Sequence, residues 1–128
     1  MTRNALKIIK DAMTHLGLEY AFARYQKQPF VYPYWVGEYN EDEPLYENGF
    51  QSSSFTLTGF HRGEWLDLEM QKESIANYFN KISGRTVMAE DGSAVAVFYN
   101  NSLIIPTMDA ELKKIQVNLD IHEWSVNI

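Results

Sequence analysis

The chain has 128 residues, a formal net charge of −6 and no cysteine. This length is typical of a single domain, so we predict one domain over residues 1–128 with a core that needs no metal or disulfide. The lack of cysteine excludes disulfides, thiolate metal sites and a cysteine nucleophile. Binding to a phosphate backbone depends on Lys and Arg, so we expect no sequence-specific binding of nucleic acid by this acidic chain.

The first sixteen residues carry charges at Arg3, Lys7, Lys10 and Asp11 spread through their apolar residues. A signal peptide needs an uninterrupted apolar stretch, and a membrane span needs about 18 apolar residues. Neither pattern is found, so we expect a cytosolic chain without a membrane partner.

The same segment predicts a helix over residues 3–16. Its apolar residues recur at the spacing of a helix, for example at Ala5, Ile9, Ala12 and Leu16. Thr2 is suited to cap the start, and Gly17 to end the helix. Residues 19–25 then alternate in the manner of a strand.

Two further strands are predicted before the second helix. Residues 31–39 are rich in aromatic and β-branched residues, and Pro33 predicts a strand start, a sheet edge or a bulge there. In residues 50–60, Phe55 and Leu57 alternate with small polar residues, which indicates one buried face and one solvated face.

An acidic segment lies between these strands at residues 38–49. Five of its residues are acidic, namely Glu38, Glu41, Asp42, Glu43 and Glu47. A solvated loop explains this composition, and an acidic patch facing a partner is the alternative. The spacing lacks the pattern of a calcium-binding loop, so we predict no metal site.

The second half predicts an amphipathic helix over 64–82 that ends at Ser83-Gly84. Asp91-Gly92 is a strong hairpin signal between strands at 86–89 and 94–99. A further turn is predicted at residues 100–102.

The last strand has the clearest pattern in the chain. Its apolar residues Ile115, Val117, Leu119 and Ile121 alternate with the polar residues Gln116, Asn118, Asp120 and His122. One dry face and one wet face favour antiparallel pairing. With the order α-β-β-β-α-β-β-β, we predict an α+β fold: a mainly antiparallel sheet with two amphipathic helices packed on one face.

Catalytic chemistry finds little support in the sequence. His15 suits the end of the first helix, and His122 stands beside Asp120 on the wet face of the last strand. His61, at a strand-to-helix turn, is the best catalytic candidate by position. It has no triad-like context, and phosphate-binding glycine loops and zinc-binding His spacings are missing. We therefore predict no catalytic, cofactor-binding or metal-binding residues, and no enzyme.

The order and lengths of these elements resemble those of the tail terminator (tail completion) proteins of long-tailed bacteriophages and prophages. The matching features are the first helix (NALKIIKDAMTHL), an aromatic strand entered at Pro33-Tyr34 (VYPYWVGEY), a Ser/Thr-rich strand (SSSFTLTGF), the helix after it (EWLDLEMQKESIANYFNKI) and the closing strand (KKIQVNLDIHEW). The resemblance implies a structural virion protein that forms a ring, typically a hexamer, on the end of the tail tube. Such a ring stops tube polymerisation and mediates head-tail joining. The implied partners are other copies of the chain and the tube and head-connector proteins, in the host cytoplasm and then in the virion tail.

The high content of Tyr and Trp fits such an assembly, because these residues are enriched at interfaces. The expected contact residues are Trp35, Tyr39, Glu41, Asp42, Glu43, Tyr46, Asn118, Asp120, His122 and Trp124. Three alternatives remain: another head-tail connector or minor capsid component, a small acidic protein-binding or inhibitor module, and an enzyme that uses His61 or His122.

Overall fold

The computed structural model describes residues 1–41, 49–80, 82–88 and 91–124. The elements in chain order are α1 (Arg3–His15), β1 (Glu19–Phe22), β2 (Tyr34–Glu41), β3 (Phe50–His61), α2 (Trp65–Phe79), β4 (Arg85–Met88), β5 (Ala94–Ile104) and β6 (Lys113–Trp124). This order confirms the predicted α+β class. Within the described residues, neither helix combines the length and apolarity needed to cross a bilayer.

The strands form one six-stranded sheet in the order β1-β2-β3-β6-β5-β4. β1 pairs parallel with β2, whereas the other pairs of neighbouring strands are antiparallel. The sheet is therefore mixed, and the antiparallel pairing predicted for it holds for every described pair except β1–β2. The connection over residues 23–33 is long enough to return the chain to the end of the sheet where β1 began, so β2 runs in the same direction as β1.

Local signals set the ends of α1 close to the predicted ones. The Thr2 side chain accepts a hydrogen bond from the backbone N–H of Ala5 at 3.2 Å, which satisfies one of the free donors at the helix start. Gly17 follows the helix with a positive φ of 72°, a conformation that glycine adopts without strain.

The second helix is shorter than predicted. It ends at Phe79, and Asn80 adopts a positive φ of 51°. The Asn80 side-chain oxygen accepts the backbone N–H groups of Ile82 and Ser83 at 2.8 and 3.1 Å. This local turn ends the helix before the expected stop at Ser83-Gly84, because an Asn side chain can replace the backbone acceptors of another helical turn.

The turn predicted at residues 100–102 is also wrong. β5 continues from Ala94 to Ile104, and its pairing with β6 shifts register between Tyr99 and Asn101. Asn100 is the extra residue of this bulge, and its amide donates to both carboxylate oxygens of Asp120 at 3.2 and 3.1 Å. The polar run is thus absorbed as a bulge within one strand.

One buried cluster unites residues of both helices with alternate residues of the strands. Trp35 belongs to this core and is fully buried, so the prediction that it lies on a contact surface is wrong. Its indole N–H donates to Gln71 Oε1 at 2.8 Å. Gly59 provides the space for the ring, because a Cβ at that position would lie 2.7 Å from it.

Candidate interaction surfaces

The side chains that alternate with the buried residues of β3 and β6 form a second face of the sheet. We call it the polar face and define it by Ser54, Thr56, Thr58, Gln116, Asn118, Asp120 and His122, all half-buried. The two strands are paired along their whole length, so these side chains stand on the most extensively paired part of the sheet. The alternation predicted for the last strand is confirmed.

Asn118 is the centre of a hydrogen-bond network on the polar face. Its side-chain oxygen accepts from Thr56 Oγ1 at 3.3 Å and from Gln116 Nε2 at 2.9 Å. Its amide nitrogen donates to Asn101 Oδ1 at 2.8 Å. The network links β3, β6 and β5, so it holds the amide groups in fixed orientations.

A first aromatic cluster borders the polar face where β6 ends. It consists of Phe50, Phe98, His122 and Trp124, with ring centroids 5.4 to 6.1 Å apart. Trp124 remains 41% exposed despite its contact with Phe50. An indole that is half covered by its own chain presents a large apolar area for contact with a partner.

A second aromatic cluster borders the other end of the polar face. It consists of Tyr25, Phe30, Tyr32, Tyr34 and Phe60, and the Tyr25 and Tyr34 rings stack 4.1 Å apart. Burial is the first cause that raises the pKa of Tyr34, followed by the neighbouring Tyr32 and Tyr25. Lys114 places its ammonium 5.3 Å above the Phe60 ring. This end of the face is therefore both aromatic and cationic.

Beside the second aromatic cluster, Arg62 links the turn before α2 to the connection before β2 and to the connection after β5. Its guanidinium pairs with Asp109 at 2.8 Å and donates to the Tyr32 hydroxyl at 3.4 Å. The pKa of Asp109 is lowered first by the backbone N–H of Glu111 and then by Arg62. These contacts hold the loop after β5 against the turn that precedes α2.

His61 is nearly buried at the end of β3. Its Nε2 lies 3.3 Å from Asp67 Oδ2 in the first turn of α2. Its Nδ1 has no hydrogen-bond partner within the described part of the chain. A Cβ at Gly63 would lie 2.4 Å from Nε2, so the turn packs tightly on the ring. This geometry orients the turn into α2.

Glu123 is a charged residue that the sequence analysis missed. It is buried in phase with Ile121, and its Oε1 accepts from the Thr2 hydroxyl at 2.5 Å and the Thr2 backbone N–H at 3.2 Å. Glu123 Oε2 and Ser53 Oγ are buried without a partner among the described residues. The strict alternation of β6 is the signal that places Glu123 on the dry face.

A second apolar side of α2 was also missed. Leu68, Ile75 and Phe79 enter the core, whereas Leu66 and Met70 are exposed one turn apart. Their spacing of four residues, out of phase with the core stripe, is the signal that reveals them.

Two of the other predicted contact residues, Tyr39 and Glu41, lie on β2 at one edge of the sheet. Tyr39 is exposed at the sheet edge and stacks on Phe22 at 6.1 Å, and the carboxylate of Glu41 accepts from the amino group of Met1. These residues share the register of the buried face, not that of the polar face. The predicted contacts at Asp42, Glu43 and Tyr46 lie outside the described residues.

Among the described ranges, no group of three or more His, Asp or Glu side chains is placed to hold a metal ion. No protein-family model matches the chain, and a search of curated proteins finds no match.

Proposed function

We propose that this chain is the tail terminator of a long-tailed phage or prophage. It forms a ring, typically hexameric, on the end of the tail tube, stops tube polymerisation and mediates joining to the head. The polar face carries this proposal, because it is a broad surface of oriented amides bounded at each end by an aromatic cluster with one exposed ring, Trp124 at one end and Phe30 at the other. The order of helices and strands also supports it, since it agrees with the layout on which the resemblance rests.

We further infer that both helices pack on the same face of the sheet. The support is the single buried cluster, which joins Ile9 of α1 and Phe79 of α2 to the inward residues of β3 and β6. With the helices on that side, the polar face is left to a partner.

The chemistry of the polar face suits a protein partner. Interfaces are enriched in aromatic residues, and side chains that are already held by hydrogen bonds lose little entropy on binding. Trp124 and the rings around it supply apolar contact area, while Asn118 and its neighbours supply directional hydrogen bonds. We therefore assign the polar face to the contact with the tail tube.

The test is tube growth in the presence of the purified chain. Tail-tube protein from the same genome is polymerised with and without it, and tube length and the tube ends are examined by electron microscopy. We expect short tubes with added density at one end. Trp124→Ala should weaken this capping about tenfold or more, because an exposed Trp that becomes buried in an interface is often among the few residues that contribute over 1 kcal/mol.

Trp65→Ala is the matched control. Trp65 is 39% exposed, close to the 41% of Trp124, but it stands at the start of α2 and not on the polar face. Capping by this variant should equal that of the unaltered chain. Unchanged tube growth and no binding to tubes would remove the proposal, and binding to a connector protein alone would favour the other head-tail connector role.

A further inference from the structure

The two edges of the sheet are stepped. At one edge β1 pairs with β2 only over residues 34–37, and no described strand pairs with the outer side of residues 38–41. At the other edge β4 pairs with β5 only over residues 94–97, and no described strand pairs with the outer side of residues 98–104. Edge backbone of this kind has donors and acceptors ready to pair with another strand.

The two steps are complementary in position. One line of paired residues runs across the sheet from β1 to β5, through Tyr20, Trp35, Gly59, Ile115 and Ile104. A second line runs from β2 to β4, through Glu41, Ser53, Ile121, Val97 and Arg85. The first line reaches β1 at one edge of the sheet but stops at β5 at the other. The second line stops at β2 at the first edge but reaches β4 at the other. A second copy placed beside the first, without a shift along the strands, therefore brings residues 20–22 of β1 opposite residues 102–104 of β5, and Arg85 of β4 opposite Glu41 of β2.

We propose that copies of this chain join edge to edge in this way, so that one sheet continues through neighbouring subunits. The strand directions make β1 of one copy antiparallel to β5 of the next, and β4 of that neighbour parallel to β2. The inference rests on the ring in the proposed function and names the surface that builds it. It uses both edges once, as a head-to-tail ring requires.

Apolar side chains stand on both sides of the β1–β5 contact. On β5, Leu103 and Ile104 are exposed, Ile104 by 58%. On β1, Phe22 is exposed although it lies in a strand. The two lines of register place Ile104 of one copy opposite Tyr20 of the next. Pairing the edges buries these side chains, and burial of apolar area drives association.

Opposite charges stand at the two ends of the second line. Arg85 is exposed, and it is held in place because its guanidinium lies 3.7 Å above the Tyr78 ring and donates to the Tyr78 carbonyl at 3.2 Å. Glu41 keeps 49% of its side chain exposed beside the amino group of Met1. Head-to-tail contact sets Arg85 against Glu41, whereas contact between like edges leaves these two residues apart, because they lie at opposite edges of the sheet. The charges thus favour the arrangement that closes into rings.

Because the chain has no cysteine, an introduced pair reports the contact directly. Ala21→Cys and Leu103→Cys are suitable because both residues lie on the line of paired residues next to that of Tyr20 and Ile104, so they face each other in the proposed β1–β5 pair. Within one chain β2, β3 and β6 separate them, far more than the roughly 7 Å between Cα atoms that a disulfide allows. A mixture of the two single variants should give covalent dimers under mild oxidation, and one chain with both substitutions should give a ladder of multimers.

The matched control is a mixture of Ala21→Cys with Thr58→Cys. Thr58 lies on the same line of paired residues as Ala21 but on the central strand β3, away from both edges. Its thiol therefore reports random collision only. Each single variant by itself should give no more dimer than this control. Circular dichroism checks that every variant is folded.

Charge reversal tests the second line independently. Arg85→Glu and Glu41→Lys should each weaken self-association about fivefold, the upper range for an exposed ion pair, and the double variant should restore it. Self-association is measured by light scattering over a concentration series, alone and with tail tubes.

Failure of each proposal is distinguishable. Cross-links in the mixture without an effect on tube growth keep the edge contact and remove the tail-tube role. The edge contact is overturned if the chain caps tubes but forms no specific cross-links, either alone or on tubes, and the double charge reversal does not restore self-association. Dimers from one single variant at the level of the mixture overturn it as well, since they indicate contact between like edges.

Discussion

The two faces of β3 and β6 differ in what holds their side chains. On one face Phe55, Leu57 and Leu119 are fully buried in the cluster that they share with residues of the helices, so packing fixes them. On the other face Thr56 and Asn118 are fixed by hydrogen bonds and remain partly exposed. The comparison teaches that one pair of strands contributes to the core with one face and presents a hydrogen-bonded, partly exposed surface with the other. Substitutions on the two faces should therefore change different measurements.

The largest effect is expected at Leu119. Truncation by Leu119→Ala leaves a cavity in the buried cluster and should lower the free energy of unfolding by about 3 kcal/mol. Its sequence neighbour Asn118→Ala, on the polar face, should cost about 1 kcal/mol. Urea unfolding followed by tryptophan fluorescence measures both. Equal losses in the free energy of unfolding would show that the two faces contribute equally to stability.

A somewhat smaller loss is expected from Gly59→Ala. The added methyl would lie 2.7 Å from the Trp35 ring, so the indole must shift within a closely packed core. Overpacking of this kind costs about 1 to 3 kcal/mol. Chemical denaturation gives the value, and an altered Trp35 emission should accompany it. Unchanged stability would mean that the core around Trp35 adapts freely.

Thr2→Ala probes a polar contact on the dry face. It removes the cap of α1 and one donor to the buried Glu123, so unfolding should become easier by about 1 to 2 kcal/mol. Thr14→Ala, in the same helix, removes only a hydroxyl that donates to the Lys10 carbonyl and should be close to neutral. A comparison of thermal midpoints separates the two. Equal midpoints would assign no role to the capping contact.

The last effect is confined to alkaline pH. Burial raises the pKa of Tyr20 from 10.0 to about 12. Because the folded pKa is the higher one, this contribution is complete below pH 10 and is lost as the pH rises towards 12. Tyr20→Phe should therefore lose less stability across this window than the unaltered chain does. The exposed Tyr39→Phe is the control, and thermal unfolding at several alkaline pH values is the measurement. Parallel curves for all three chains would contradict the prediction.

Local chemistry explains what the sequence could predict. Thr2 and Gly17 mark α1 because capping depends on residues next to the helix, and β6 is recognisable because strict alternation needs no knowledge of its neighbours. The polar face follows from the same alternation. Its expected Asn118, Asp120, His122 and Trp124 do lie along one side of β6.

Long-range packing explains what the sequence could not predict. Trp35 enters the core because Gly59, on the neighbouring strand, leaves room for the ring. The polar residues at 100–102 read as a turn, but pairing with β6 keeps them in one strand around Asn100. The parallel pairing of β1 depends on the path of the connection before β2. In each case the decisive partner lies far away in the sequence.

The bulge at Asn100 has a consequence for solubility. A long and regular open edge invites indiscriminate pairing and fibre growth. In this chain the extra residue bends the open part of β5 and interrupts its ladder just before the apolar Leu103 and Ile104. Only a partner strand that stops at the irregularity, as the short β1 does, matches the remaining regular stretch. The bulge thus makes the open edge less suited to amyloid-like growth, while residues 101–104 keep a regular stretch that a strand as short as β1 can match.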